Sequence, residues 1–206
     1  MVDLLEDAGV LVVESDFGSP KFDGFSVFER NTGLPPTVFL NQAPPGDRER
    51  FTLAHELGHL VLHTGLDVTK PERDVEAEAD RFAAEFLAPA ADIKGHLGRI
   101  TLADLARLKL HWKISMGSLL MCADRLGRIT PSQKRRLWME MSSLGYRTKE
   151  PNPIPRESPR LFTELIEFHL GELGYTEQEL ADHLRVTASE LRAKSGLKRP
   201  GLTLVR

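Results

Sequence analysis

The first part of the chain contains short apolar runs that predict β-strands. Val10–Glu14 is rich in β-branched residues, and the F-S-V run at 25–27 alternates after an Asp-Gly turn signal. Thr37–Leu40 follows two prolines and predicts a third strand. Asp3–Ala8 predicts a short helix at most. We expect Thr37–Leu40 at an edge of the sheet, where free backbone groups could bind an extended peptide.

The stretch 48–63, R-E-R-F-T-L-A-H-E-L-G-H-L-V-L-H, predicts one long helix. Asp47 can cap its start, and Gly65 lies just past its end, where glycine commonly stops a helix. Most positions other than the histidines and glutamates are apolar, so we expect this helix to be buried. These apolar positions are Phe51, Leu53, Ala54, Leu57, Leu60, Val61 and Leu62.

The rest of the chain carries the signals of helices. We expect helices at 76–87, 102–110, 115–126 and 131–144. A capping box at Thr130, and a near capping box at Thr101 with Asp in place of Glu, mark the starts of two of them. The predicted fold class is α+β: a small mixed sheet packed on the 48–63 helix, followed by a mainly helical C-terminal half.

Four prolines between residues 149 and 159 exclude a helix there and predict a linker or a strap across the surface. They divide the chain into residues 1–149 and a small helical segment at 150–206. In that segment the sequence L-A-D-H-L-R-V-T resembles the turn of a helix-turn-helix, but Arg185 stands where glycine is usual. We favour a plain helical hairpin, with a DNA-binding helix-turn-helix as the alternative.

The 48–63 helix contains an H-E-x-x-H motif, His55-Glu56-Leu57-Gly58-His59. Residues four apart share one face of a helix, so both imidazoles can reach one zinc ion. Glu56 would lie beside that ion, where a carboxylate can act as general base toward zinc-bound water. Chance is the alternative, because shuffling this composition would yield the motif in roughly two sequences in a hundred.

The 76–87 helix opens with further candidate ligands. A catalytic zinc site usually takes three protein ligands, and Glu76 is our candidate for the third. Asp80, one turn later, could accept the outer N–H of a zinc-bound histidine. Glu78 points about 200° away from Glu76, and Glu85 lies more than two turns further on, so neither is expected on the metal. A plain acidic helix start is the alternative for Glu76.

His63 continues the spacing of the two motif histidines. It lies about 12 Å along the helix from His55, too far to bind the same ion. It also follows the second histidine by four residues, whereas the longer H-E-x-x-H-x-x-G-x-x-H pattern requires six. We therefore expect His63 to have a structural role or to contact a ligand from behind.

These residues carry a resemblance to a known family. The helix at 48–63, followed by E-A-E-A-D-R-F-A-A-E-F-L-A-P at Glu76–Pro89, is similar to the ImmA/IrrE family of zinc metallopeptidases. Members have H-E-x-x-H and a later E-x-x-A-[ND]-x-F-A. The resemblance implies a gluzincin-like site with His55, His59 and Glu76 as zinc ligands and Glu56 as catalytic base. Residues 1–149 would then be a zinc metallopeptidase-like domain with a helical extension.

The resemblance also implies a function. Family members typically cleave a DNA-binding transcriptional repressor, and many carry a helix-turn-helix before the peptidase part. This sequence starts directly with the peptidase part, so we expect its repressor to be a separate protein. Two alternatives stay open: a zinc-containing regulatory or toxin–antitoxin-type module that binds without cutting, and direct DNA binding through residues 94–149 or 176–195.

Composition limits the kind of metal site and indicates where the protein acts. The single cysteine, Cys122, excludes an intrachain disulfide and a Cys-rich zinc site. No early apolar run is long enough for a signal sequence or a membrane span, so we expect a cytoplasmic protein.

Charge is unevenly distributed along the chain. The net charge is −3, but the range 94–149 contains 12 basic and only 3 acidic residues. A solvated helix surface is the plain interpretation, and a surface for DNA or an acidic protein is the alternative. His96, His111 and Tyr146 are candidate oxyanion stabilisers.

Overall fold

The computed structural model describes residues 1–19, 22–29, 33–65, 74–98 and 100–196. The part of the predicted C-terminal segment after residue 196 lies outside these residues. The fold combines a small mixed sheet with helices that dominate the second half, which confirms the predicted α+β class. No helix in the described ranges is long and apolar enough to cross a lipid bilayer.

The sheet has three strands: β1 (Leu11–Ser15), β2 (Gly24–Val27) and β3 (Thr37–Asn41). Their spatial order is β1-β3-β2, with β3 parallel to β1 and antiparallel to β2. The predicted strand positions are confirmed, but the prediction that Thr37–Leu40 forms an edge is wrong. All three runs are short and apolar, and strand order depends on long-range pairing that such a pattern does not reveal. Among the described strands, β2 forms the edge that lies against the H-E-x-x-H helix.

Two helices cover the apolar face of the sheet: α1 (Val2–Asp7) and α2 (Gly46–Leu62). Val12, Val38, Leu40 and Leu53 are at most 1% exposed and form the centre of this core. A third helix, α3 (Val75–Leu87), packs on α2. A Cβ added to Gly58 would lie 3.2 Å from the Cα of Ala79, so glycine here lets the two helices approach closely.

The start and the burial of α2 differ from the prediction. Pro45 occupies the N-cap position, and Asp47 lies two residues later in the first turn, where its buried carboxylate pairs with Lys109 instead of capping the helix. The helix is buried on one side only, because Val61 and Leu62 are exposed. Gly65 follows the end of the helix with a positive φ of 80°, as expected for a stop signal.

A second core lies in the helical half. It is built by α4 (Ala90–Ile93), a 3-10 turn (Lys94–His96), α5 (Leu102–Trp112), α6 (Met116–Arg125) and α7 (Pro131–Ser143). Both predicted capping boxes are present, with reciprocal hydrogen bonds at the starts of α5 and α7. The helix bounds agree with the predicted ones to within two residues, because caps are local signals that a sequence states directly.

The proline-rich segment is a strap rather than a free linker. Glu150 accepts hydrogen bonds from the backbone N–H groups of Met116 and Gly117, at the N-terminus of α6. Arg156 pairs with Glu14 and with the buried Glu49 at 2.5 and 2.7 Å. The strap thereby binds both the sheet and the first turn of α2.

The chain continues into α8 (Leu161–Gly171), α9 (Glu177–His183) and α10 (Ala188–Ser195). These helices share a small apolar cluster centred on Ile166, Leu180 and Leu191, and α8 and α10 contact β1. Arg185 adopts a positive φ of 55° in the turn between α9 and α10. The turn therefore has the left-handed residue typical of helix-turn-helix turns, although an arginine provides it.

Lys109 gives a test of how this fold holds α2. The lysine is 1% exposed, and its ammonium group lies between the carboxylates of Asp47 and Glu150. Lys109→Met should lower the free energy of unfolding by about 3–5 kcal/mol, because it leaves buried carboxylates without a cation. Urea unfolding followed by circular dichroism measures this loss.

The control is Arg136→Ala, which removes only an exposed pair with Glu140. It should change the free energy of unfolding by less than about 0.5 kcal/mol. Equal effects of the two changes would contradict the importance of the buried pair.

Candidate metal centre

The imidazoles of His55 and His59 converge on one side of α2. Their Nε2 atoms are 3.0 Å apart, as the spacing of four residues in a helix predicts. Glu76 reaches the same point from α3, with its carboxylate oxygens 3.2 Å from Nε2 of His55 and 3.5 Å from Nε2 of His59. The three side chains form a group that could hold a metal ion, since one ligand atom of each lies within 4.8 Å of the others.

The three groups differ in exposure. The side chains of His55 and His59 are 17% and 20% exposed, whereas the side chain of Glu76 is 71% exposed. Burial lowers the pKa of His59 below its ordinary value, and the neighbouring His55 lowers it further. A lowered pKa favours the neutral imidazole, which is the form that binds metals. The cluster therefore opens toward solvent at Glu76 and is closed on the side of α2.

Glu56 lies beside this cluster and is largely buried. Its Oε2 accepts a hydrogen bond of 2.7 Å from the hydroxyl of Ser26 in β2. This contact joins the H-E-x-x-H helix to the edge strand. It involves Oε2 of Glu56 and not Oε1. Ser26 was not singled out in the sequence, because a single serine within a strand pattern carries no signal of such a contact.

Asp80 contacts the first histidine from behind. Its Oδ1 lies 2.8 Å from Nδ1 of His55. An Nδ1–H that donates to this carboxylate leaves the lone pair of Nε2 free for a metal. The structure thus brings Asp80 to the position that the spacing of α3 predicts.

A second chain of contacts runs behind His59. Its Nδ1 is 2.9 Å from Nδ1 of His63, and Nε2 of His63 is 3.1 Å from Oε2 of Glu78. In the tautomers that satisfy both contacts, His59 donates to His63 and His63 donates to Glu78. Glu78 is not part of the group formed by His55, His59 and Glu76, but its carboxylate also faces α2, where it holds the buried His63. The signal that could have found it is the third histidine at the same spacing of four.

The candidate oxyanion stabilisers lie elsewhere. His96 belongs to the 3-10 turn, His111 packs its ring against Trp112 at the end of α5, and Tyr146 packs against the helical core. Within the described ranges, no hydrogen bond or ion pair connects any of them to the histidines or to Glu56. Glu85 is exposed and pairs with Arg125, in agreement with the prediction that it stays at the surface.

Comparison with protein families agrees with this geometry. Residues 5–122 match the family model Peptidase_M78, described as the IrrE N-terminal-like domain. No curated protein matches the chain. The matched residues make up more than half of the chain and contain both α2 and α3, and the match confirms the resemblance seen in the sequence. The chain therefore belongs to the Peptidase_M78 family, whose members share the IrrE N-terminal-like domain.

Proposed function

We propose that this protein is a zinc-dependent endopeptidase that cuts a specific protein, a separate DNA-binding transcriptional repressor, and so regulates transcription. The observation that carries the proposal is the meeting of His55, His59 and Glu76 beside the buried carboxylate of Glu56. Membership of a peptidase family supports hydrolysis of a protein substrate. The repressor as substrate rests on the resemblance to the ImmA/IrrE family.

The donor set fits zinc. Two imidazole nitrogens and one carboxylate oxygen are a common ligand set of catalytic zinc, which keeps a further position open for water or substrate. Asp80 and His63 orient the two rings from behind, as carboxylates and other acceptors usually do in zinc sites. Bound zinc would supply a Lewis acid for the scissile carbonyl and a more acidic water.

Glu56 is placed to move the proton. With Oε2 held by Ser26, Oε1 can accept the proton of the water that attacks the carbonyl carbon. The same carboxyl group can then donate this proton to the leaving amine. Ser26 acts as a positioning residue in this scheme, since it orients Glu56 and does not itself touch the reacting atoms.

The edge strand offers a place for the substrate backbone. Ser26 belongs to β2, which pairs only with β3 among the described strands. An extended peptide can add to such an edge through backbone hydrogen bonds. This strand takes the role that the sequence assigned to Thr37–Leu40, and it would bring the scissile bond next to Glu56.

The metal gives the first test of the proposal. Purified protein should contain about one zinc per chain, measured by elemental analysis. His55→Ala and His59→Ala should lose the metal and lower the melting temperature, because zinc stabilises only the folded state. His96→Ala, an exposed histidine away from the cluster, should keep both. Protein without zinc that takes up none on dialysis would contradict the proposal.

The carboxylates of α3 give a second test. Glu76→Gln should weaken zinc retention most, because it removes a ligand. Asp80→Asn and Glu78→Gln should each cost roughly 10–100-fold in zinc affinity, because they release a ring from behind. Competition with a chromogenic chelator measures these affinities, and Glu85→Gln is the matched control. If Glu78→Gln stripped the metal and Glu76→Gln did not, the assignment of the ligand would be wrong.

The third test separates cutting from binding. Glu56→Gln should retain zinc and partner binding, but it should abolish cleavage or reduce it by orders of magnitude, because the base is lost. The readout is cleavage of a co-expressed repressor from a neighbouring gene, together with transcription from its promoter. Glu85→Gln should behave as the unmodified protein. If the Glu56→Gln protein still switched transcription normally, a zinc-containing module that binds without cutting would replace the peptidase.

A further inference from the structure

An open cavity of about 970 Å³ lies next to the metal centre. It is bounded by α2, α3, α5, α6, α7 and the segment 146–153, and we call it the helical groove. Asp80 belongs to both places, because it lines the groove and contacts His55 at 2.8 Å. A peptide bound at the metal centre can therefore continue into this groove without leaving the surface of the protein.

The walls of the helical groove are mainly apolar. Met121 is 48% exposed although it stands on a helix that otherwise contributes to the core. Exposed apolar side chains gathered in a concave site are typical of binding surfaces. The apolar lining includes Phe51, Ala84, Leu87, Ile114, Met121 and Trp138.

The carboxylates that line the groove are paired, whereas several of its cations have no carboxylate partner among the described residues. Each acidic side chain that lines it has a partner: Asp47 and Glu150 contact Lys109, Asp124 contacts Lys134, and Asp80 contacts His55. The exposed cations Arg81, Arg147 and Lys149 have no carboxylate within ion-pair distance in the part of the chain that the structure describes. Arg147 instead lies over the ring of Trp138, 5.1 Å from its centroid. These three cations form the basic rim of the groove.

Much of the groove comes from residues beyond the matched family region. Trp138, Met141, Tyr146 and the cations Arg147 and Lys149 all follow residue 122, where the family match ends. The matched region supplies the metal centre and the lining residues of α2, α3, α5 and the first part of α6, and the residues after it supply those of α7 and the segment 146–153. The preference of this groove therefore depends on both parts, since Phe51, Arg81 and Met121 belong to the first and Trp138, Arg147 and Lys149 to the second.

We propose that the helical groove binds a segment of the protein substrate in which large apolar side chains are flanked by carboxylates. Apolar side chains would fill the space between Phe51 and Trp138, and the carboxylates would pair with the basic rim. The volume is at the upper end of the range for small-molecule sites, so it has room for more than one side chain. The identity of the segment as substrate rests on the proposed function, whereas its binding does not require catalysis.

Short fluorescein-labelled peptides test this preference directly. One has Leu-Phe at its centre with Glu on both sides, a second has Lys in place of Glu, and a third has Ser-Ser in place of Leu-Phe. Fluorescence anisotropy with the zinc-loaded Glu56→Gln protein should show the first peptide binding at least about tenfold more tightly than either of the others. Raising the salt concentration should narrow the difference between the Glu and Lys peptides.

Charge reversal locates the site. Arg147→Glu combined with Lys149→Glu should weaken binding of the Glu peptide by about tenfold or more and strengthen binding of the Lys peptide. Arg128→Glu, an exposed cation that does not line the groove, should change neither. Met121→Gln should weaken binding of both Leu-Phe peptides, whereas Leu110→Gln, equally exposed on α5, should not. Circular dichroism confirms that each variant is folded.

The outcomes distinguish this proposal from the proposed function. Binding of the Glu peptide should persist after the metal is removed with a chelator, because the groove does not include the ligands. Equal affinity for the Glu and Lys peptides, or equal effects of Arg128→Glu and the double reversal, would overturn the groove proposal and leave the peptidase untouched. Peptide preference in a protein that contains no zinc as purified and takes none up on dialysis would refute the zinc peptidase and support the groove proposal.

Discussion

The close packing of α2 on α3 is the constraint on which the metal centre depends. Two of the three candidate ligands stand on α2 and the third on α3, so neither helix can form the centre alone. Gly58 lies within the H-E-x-x-H motif. A Cβ added to it would lie 3.2 Å from the Cα of Ala79 and 3.2 Å from the ring of Phe82. A larger residue would push α3 away, and the carboxylate of Glu76 would leave the histidines. The motif thus encodes the helix contact as well as the chemistry.

The acidic first turns of α3 face the histidines of α2. Asp80 contacts His55, Glu76 lies near His55 and His59, and Glu78 contacts His63. A buried histidine such as His63, 6% exposed, is costly without a hydrogen-bond partner. Glu78 removes that cost and at the same time fixes the ring behind His59. The acidic start of α3 therefore orients the metal ligands along with providing one of them.

Local signals in the sequence predicted the helices, their capping boxes, the strand positions and the spacing of His55, His59 and Glu76. All of these except the place of Glu76 depend on residues a few positions apart, which the sequence shows directly. Glu76, which stands on a separate helix, was proposed as the third ligand from the usual ligand count and from the family resemblance. The order of the strands, the pair between Asp47 and Lys109 and the contact of Ser26 with Glu56 join distant parts of the chain. Such contacts depend on how the elements pack, so Asp47 was taken for a cap and β3 for an edge. The contact of Glu78 with His63 likewise depends on how α3 packs against α2, and the sequence did not predict it.

Helix α5 and the strap bear on the chemistry through the start of α2. Lys109 of α5 holds Asp47 in the first turn of α2 and Glu150 of the strap, and Arg156 of the strap holds Glu49 of the same turn. A Cβ at Gly46 would lie 2.3 Å from the carbonyl oxygen of Pro155, so the strap lies directly on the first residue of the helix. The first turn of α2 is thus fixed by Lys109, inside the matched region, together with strap residues that follow it, while its later turns carry His55, Glu56 and His59. Because the later turns continue the same helix, α5 and the strap, which both line the helical groove, also help to hold the metal ligands in place relative to that groove.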